Sequence, residues 1–273
     1  MRSRGGLVAL IAATLFGYAV YRIVVHAQAP VIPAVITRSM DARRALARDL
    51  PARIDRFLHD RPPADRRSWP KLVALTFDDG PYPVSTPLLL DVLADLHVRA
   101  TFFLIGRDAE EFPDLARRIA SGGHEVANHT LTHPNLDELD GSAVLAELTG
   151  GRAALARLVP GRSAIATMMR PPHGRFTVAT VEIAQRAGYD VILWNDDPGD
   201  WRSVGQDELA AHIARSATAP DIILLHSGRP ATIAMLPTVV ARFRRAGFAF
   251  VTVGELLRRA SASVIDHPER HPV

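Results

Sequence analysis

The sequence predicts an α/β fold: a distorted or incomplete (β/α) barrel of about seven strands, preceded by an N-terminal hydrophobic segment. Three observations lead there. From Lys71 onward, short apolar runs alternate with helix-length amphipathic stretches, the signature of βα units on a mainly parallel sheet. Seven such runs fall between residues 71 and 253, the scale of a small barrel. The 273 residues are 48% apolar and 22% charged, which excludes whole-chain disorder and supplies a core without staples. Alternation alone also fits a doubly wound open sheet, so that topology stays beside the barrel.

Residues 7–21, LVALIAATLFGYAVY, carry no charge and follow Arg2 and Arg4. This is a membrane-targeting pattern, and residues 1–27 are expected to be an uncleaved anchor with the rest of the chain periplasmic or extracellular. A secreted product, cut near Val25-His26-Ala27, is the alternative, and a buried helix of the globular part is a third. Residues 28–70 are a linker containing an Arg-rich helical stretch (MDARRALARDLPARIDRFLHD), whose charges read as a solvated face. The folded domain is expected over 71–260, with a tail at 261–273.

The strands, in order, are KLVALTF (71–77), ATFFLI (100–105), HEVANH (124–129), TMMR (167–170), DVILWN (190–195), DIILLH (221–226) and FAFVTV (248–253). Helices are expected near 86–97, 112–121, 142–158, 177–187, 207–217 and 232–246, with a last one from Gly254. Nearly every unusual polar residue sits where a strand ends: Asp78 and Asp79, His129 and His133, Arg170, Asp197, Asp200 and Trp201, and His226. In parallel α/β architectures those ends share one face, so distant segments converge there. His97, His124 and His212 fall elsewhere and read as structural.

Charge and cysteine content narrow the chemistry. Lys+Arg 32 against Asp+Glu 29 gives only +3, with no basic run, so nucleic acid is not an expected partner. With no cysteine, a bound metal must rely on nitrogen and oxygen ligands. TFDDGP (76–81) offers adjacent carboxylates, although DDG by itself is a common turn. HTLTHP (129–134) offers two imidazoles four residues apart. One carboxylate and two imidazoles make a three-ligand site with open positions, catalytic in form, and the same set could hold iron in an oxygenase.

The five segments TFDDGP at 76, NHTLTHP at 128, RPPHG at 170, DPGDW at 197 and LLH at 224 appear in the order of the polysaccharide deacetylase family, the NodB-homology or carbohydrate esterase family 4 domain. The chain resembles that family from about Lys71 to Leu257. The resemblance implies a distorted (β/α) barrel and one divalent metal ion, zinc ahead of cobalt or nickel. It also implies hydrolysis of N-acetyl groups from an N-acetylglucosamine-containing glycan, peptidoglycan- or chitin-like. An O-acetyl esterase on a xylan-type polymer and a non-catalytic glycan-binding homologue are the alternatives. By the matched motifs Asp79, His129 and His133 would bind the metal, Asp78 would be the general base and His226 the general acid. Arg170 and Asp200 would support them, a backbone N–H near His173 would face the oxyanion, and Trp201 and Leu224 would line a slot for the acetyl methyl. Two positions depart from the family pattern: His173 stands where Tyr is usual, and Ser227 where Asp is usual.

The chemistry asks for the same parts. An acetamide carbonyl is a poor electrophile, so a metal must polarise it and acidify a water. A guanidinium near Asp78 favours its ionised form, and a His paired with a carboxylate can protonate a leaving amine near neutral pH.

Overall fold

The computed structural model describes residues 35–36, 71–159, 161, 167–202, 204–216 and 221–265. The expected anchor (1–27), nearly all of the 28–70 linker with its Arg-rich helix, and residues 266–273 of the tail lie outside them. Among the described residues no helix is long and apolar enough to cross a membrane.

The elements run β1 (Val35–Ile36), β2 (Leu72–Asp78), α1 (Ser85–Asp95), β3 (Thr101–Leu104), α2 (Gly106–Glu111), α3 (Pro113–Ser121), β4 (Glu125–Asn128) and α4 (Gly141–Leu158). They continue with β5 (Met168–Met169), α5 (Val178–Arg186), β6 (Asp190–Ile192), α6 (Gln206–Ser216), β7 (Asp221–His226), α7 (Pro230–Arg245), β8 (Ala249–Phe250) and α8 (Val253–Ile265). The strands form one sheet in the order β1-β6-β5-β4-β3-β2-β7, with β8 beside the start of β2. All pairings are parallel except β1 with β6. The sheet curls into a half-barrel with helices packed outside. Past β6 the chain touches β7 through a bridge between Asp196 and Ile223, where Leu224 N–H donates to the Asp196 carbonyl at 2.9 Å.

β2 is buried along its whole length, as expected for a parallel strand covered on both faces. Its alternation sorts the core. Val73, Leu75 and Phe77 pack outward with Leu89 and Leu93 of α1, Ile119 of α3, Ile213 of α6 and Val239 of α7. Leu72 and Ala74 pack with Phe103, Ile222, Leu224 and Trp194. Thr76 and Asp78 continue that second face by the two-residue period, so the strand delivers Asp78 at the open end of the curl. β7 does the same with Ile222, Leu224 and His226, and the register pairs Asp78 directly with His226.

The end of β4 is fixed by a buried polar knot. Asn128 Nδ2 donates to the Leu148 carbonyl at 2.9 Å and to the Tyr189 hydroxyl at 2.6 Å, while its Oδ1 accepts from Thr130 N–H at 2.9 Å. Gly151 of α4 sits against this loop so closely that a Cβ there would lie 2.4 Å from Asn128 Oδ1 and 2.8 Å from the Thr130 backbone. Only a glycine permits that approach.

Several elements differ from the expectation. The linker contributes a strand, β1, antiparallel to the rest; two residues carry no detectable period, so pairing alone reveals it. TMMR, DVILWN and FAFVTV shrink to β5, β6 and β8, because the residues beyond them turn into the site or bend off the ladder. The segment 106–121 holds two helices, split at Phe112, whose φ of −122° and ψ of 62° precede Pro113. α8 starts at Val253 and runs to Ile265, past the boundary drawn at 260.

Candidate active site

The polar residues singled out at the strand ends converge, and backbone conformation decides which way each points. Asp78 closes β2 with its side chain inside the curl. Asp79 then adopts φ 68°, turning its carboxylate away from its neighbour's. Thr130, His133 and His173 also have positive φ, at 71°, 63° and 56°. For residues with a Cβ this conformation is costly, on the order of 1–3 kcal/mol each, and persists only where surrounding contacts hold it. Those contacts are present: Gly106 and Arg107 N–H groups donate to the Thr130 and Leu131 carbonyls, and Glu147 of α4 accepts from Leu131 N–H, Thr132 N–H and the Thr132 hydroxyl.

Asp79, His129 and His133 each offer one ligand atom, and the three atoms lie within 4.8 Å of one another. Asp79 Oδ1 is 3.6 Å from His129 Nε2 and 3.2 Å from His133 Nε2. His129 Nδ1–H donates to the Arg170 carbonyl at 2.9 Å, which leaves Nε2 with its lone pair toward the cluster. Burial holds His129 below the ordinary imidazole range despite the opposing charges of Asp78 and Asp79, which favours the neutral form that a metal ligand needs. Burial would raise Asp79, but the hydrogen bond with His133 and the surrounding imidazoles take it well below the usual carboxylate range. A neutral, oriented nitrogen beside an ionised carboxylate suits a divalent ion.

Asp78 stands next to this cluster but is held elsewhere. Arg170, fully buried, donates from Nη1 to Asp78 Oδ1 at 2.6 Å and to Thr76 Oγ1 at 2.8 Å. Its Nη2 and Nε donate to the carbonyls of Leu193 and Ile192, and its guanidinium carbon lies 4.1 Å from the centre of the Phe103 ring. The other oxygen of Asp78 is 3.8 Å from His129 Nε2, free to accept a proton beside the cluster.

Opposite, His226 Nδ1–H donates to Asp200 Oδ1 at 2.7 Å, and His226 N–H donates to Asp200 Oδ2 at 2.8 Å. The Thr232 hydroxyl completes Asp200 with a 2.6 Å bond. Burial disfavours charge on His226, but the bond and charge of Asp200, helped by Asp78 and Asp79, raise it above the ordinary value. The arrangement places a proton acceptor and a proton donor on paired residues of adjacent strands, flanking a three-ligand cluster.

Three further expected residues complete the set. Leu224 is buried in the interior cluster directly below His226. Trp201 is 47% exposed, with the Arg202 guanidinium 4.6 Å from its ring centre. The His173 ring packs against His133 and bonds Asn135. Thr76, Thr232 and Asn135 escaped the sequence reading; Asn135, two residues after His133, carried the one local signal that could have found it.

A model of the family described as polysaccharide deacetylase matches residues 65–192. A peptidoglycan-N-acetylglucosamine deacetylase of Bacillus cereus is 35% identical over 193 residues, covering 69% of this chain and 89% of that protein. A chitooligosaccharide deacetylase of a Bradyrhizobium strain is 39% identical over 164 residues, 60% of this chain and 74% of that protein. The crystal structure of the Bc1960 peptidoglycan N-acetylglucosamine deacetylase superposes with a TM-score of 0.66 at 31% identity, covering 68% of this chain and 88% of that one.

In metal-free protein the Asp200 pair should make His226 titrate above 6.5. Because the folded value exceeds the unfolded one, the pair's stabilisation is complete below about pH 6.5 and is lost as pH rises through the folded value. Asp200→Asn should bring the His226 titration down, read from its imidazole proton resonances. An unmoved titration would take Asp200 out of that role.

Proposed function

This chain belongs to the polysaccharide deacetylase family and is an enzyme of that kind, and from that premise we propose that it hydrolyses N-acetyl groups of an N-acetylglucosamine-containing glycan, peptidoglycan- or chitin-like, at the convergent strand ends. The observation that carries the reading is the pairing of Asp78 with His226 across β2 and β7, beside the Asp79–His129–His133 cluster.

Asp79, His129 and His133 would hold a divalent ion, zinc ahead of cobalt or nickel as the family resemblance implies. Such an ion supplies Lewis acidity to the acetyl carbonyl and a water acidified toward a pKa of about 7. Asp78, held by Arg170 through one oxygen, takes the proton of the attacking water with the other. His226, kept protonated by Asp200, gives a proton to the nitrogen as the carbon–nitrogen bond breaks, so the amine leaves neutral and acetate remains. A backbone N–H near His173 would face the oxyanion. Leu224 and the half-exposed Trp201 would line a slot for the acetyl methyl.

The expected result is acetate release from N-acetylated chito-oligomers or peptidoglycan glycan, abolished by a chelator and restored by zinc. Asp78→Asn should lower the rate by about two to four powers of ten while the ion stays bound. Release from O-acetylated xylan alone would move the assignment to an esterase, and full activity in metal-stripped protein would remove the metallohydrolase reading.

The uncharged stretch of residues 7–21 after Arg2 and Arg4 supports an anchor that keeps the enzyme at a membrane, its domain facing the periplasm or exterior. The full chain should sediment with membranes after expression in a bacterial host. A wholly soluble product that retains residues 1–27 would contradict the anchor.

A further inference from the structure

We propose that Asn135 and His173 form a latch that fixes the ring of His133, so that the metal site depends on a residue pair outside its ligand set; this rests on the metal reading above. His133 is the least supported of the three ligands by its own backbone. It lies on a loop, at φ 63°, with its N–H donating to Thr130 Oγ1 at 3.0 Å. Asp79 Oδ1 meets its Nε2 at 3.2 Å, and two rings border it: His129, with centroids 4.9 Å apart and planes inclined by 58°, and His173, 4.5 Å away and edge-on at 74°.

His173 belongs to a different segment, the short turn Pro172–Gly174 after β5, and is itself held at φ 56°. Its Nδ1 bonds Asn135 Oδ1 at 2.8 Å. Asn135 is two residues beyond His133 on the same loop. Chain, hydrogen bond and ring contact therefore close a circuit: His133 to Asn135 along the backbone, Asn135 to His173 through Oδ1, and His173 back onto the His133 ring. Arg175 adds surface ion pairs to Asp137 and Glu138 between the same two segments at 3.0 and 2.7 Å, which tie the segments together without touching the His133 ring. The latch also accounts for histidine at 173. A tyrosine carries its only polar atom at the far end of the ring, whereas Nδ1 lies on the near edge, where Asn135 meets it.

The test measures zinc affinity by competition with a chromophoric chelator, together with the cobalt-substituted absorption spectrum, in parent, Asn135→Leu, His173→Tyr and His173→Gly. Glycine accepts the positive φ without strain, so the ring is removed without a folding penalty at that position. Removing such outer partners typically weakens metal affinity by about 10- to 100-fold. Asn135→Leu and His173→Tyr break the same bond and should lose affinity by similar factors, of about tenfold, with the double variant no weaker than the worse single. His173→Gly should lose more and shift the cobalt spectrum, while metal-free melting curves coincide with the parent's. A parent that binds zinc with all three variants within twofold of it would overturn the latch and leave the metal reading standing. A parent that binds neither zinc nor cobalt would overturn both.

Discussion

The buried guanidinium of Arg170 is the constraint on which the site depends. A fully desolvated positive charge is tolerated only when its donors are used and a carboxylate faces it. Arg170 meets both demands by reaching across the curl: to Thr76 and Asp78 on β2, to the carbonyls of Ile192 and Leu193 at the end of β6, and over the face of Phe103 on β3. Its own carbonyl accepts from His129. One residue thus holds Asp78 with its side chain and His129 with its backbone. Removing one partner of such a pair costs about 3–5 kcal/mol, because the other charge is left buried alone, so this pair couples stability of the sheet's open end to chemistry.

The same constraint explains why two adjacent carboxylates have different neighbours. Strand alternation puts Asp78 inside, on the guanidinium. The left-handed backbone of Asp79 breaks the alternation and turns its carboxylate to His129 and His133 instead. Two carboxylates on one side of a regular strand would sit two residues apart; a single positive φ allows neighbours to share a site without sharing partners.

Much of this was legible in the sequence because it follows from period and position. The alternation of apolar runs gave the βα units, and polar residues at the run ends marked the converging face. All three cluster residues, and the partners of Asp78 and His226, were placed by motif. What escaped has no period. β1 is two residues long and exists through its pairing with β6, α2 hides before a Pro-initiated helix, and Thr76, Thr232 and Asn135 are ordinary polar residues until the fold aims them. Trp201 was expected to line an apolar slot beside Leu224; its half exposure and the Arg202 guanidinium over its ring were not legible, since an aromatic in a loop after Asp200 carries no information about which way the loop turns.

The division of labour between Asp78 and Asp79 is most directly tested by diffraction at the zinc absorption edge from crystals grown with the metal. The account predicts a single anomalous peak about 2.0–2.2 Å from Asp79 Oδ1, His129 Nε2 and His133 Nε2, with Asp78 still bonded to Arg170 and outside the coordination sphere. A peak ligated by Asp78, or one bound away from these three residues, would contradict it.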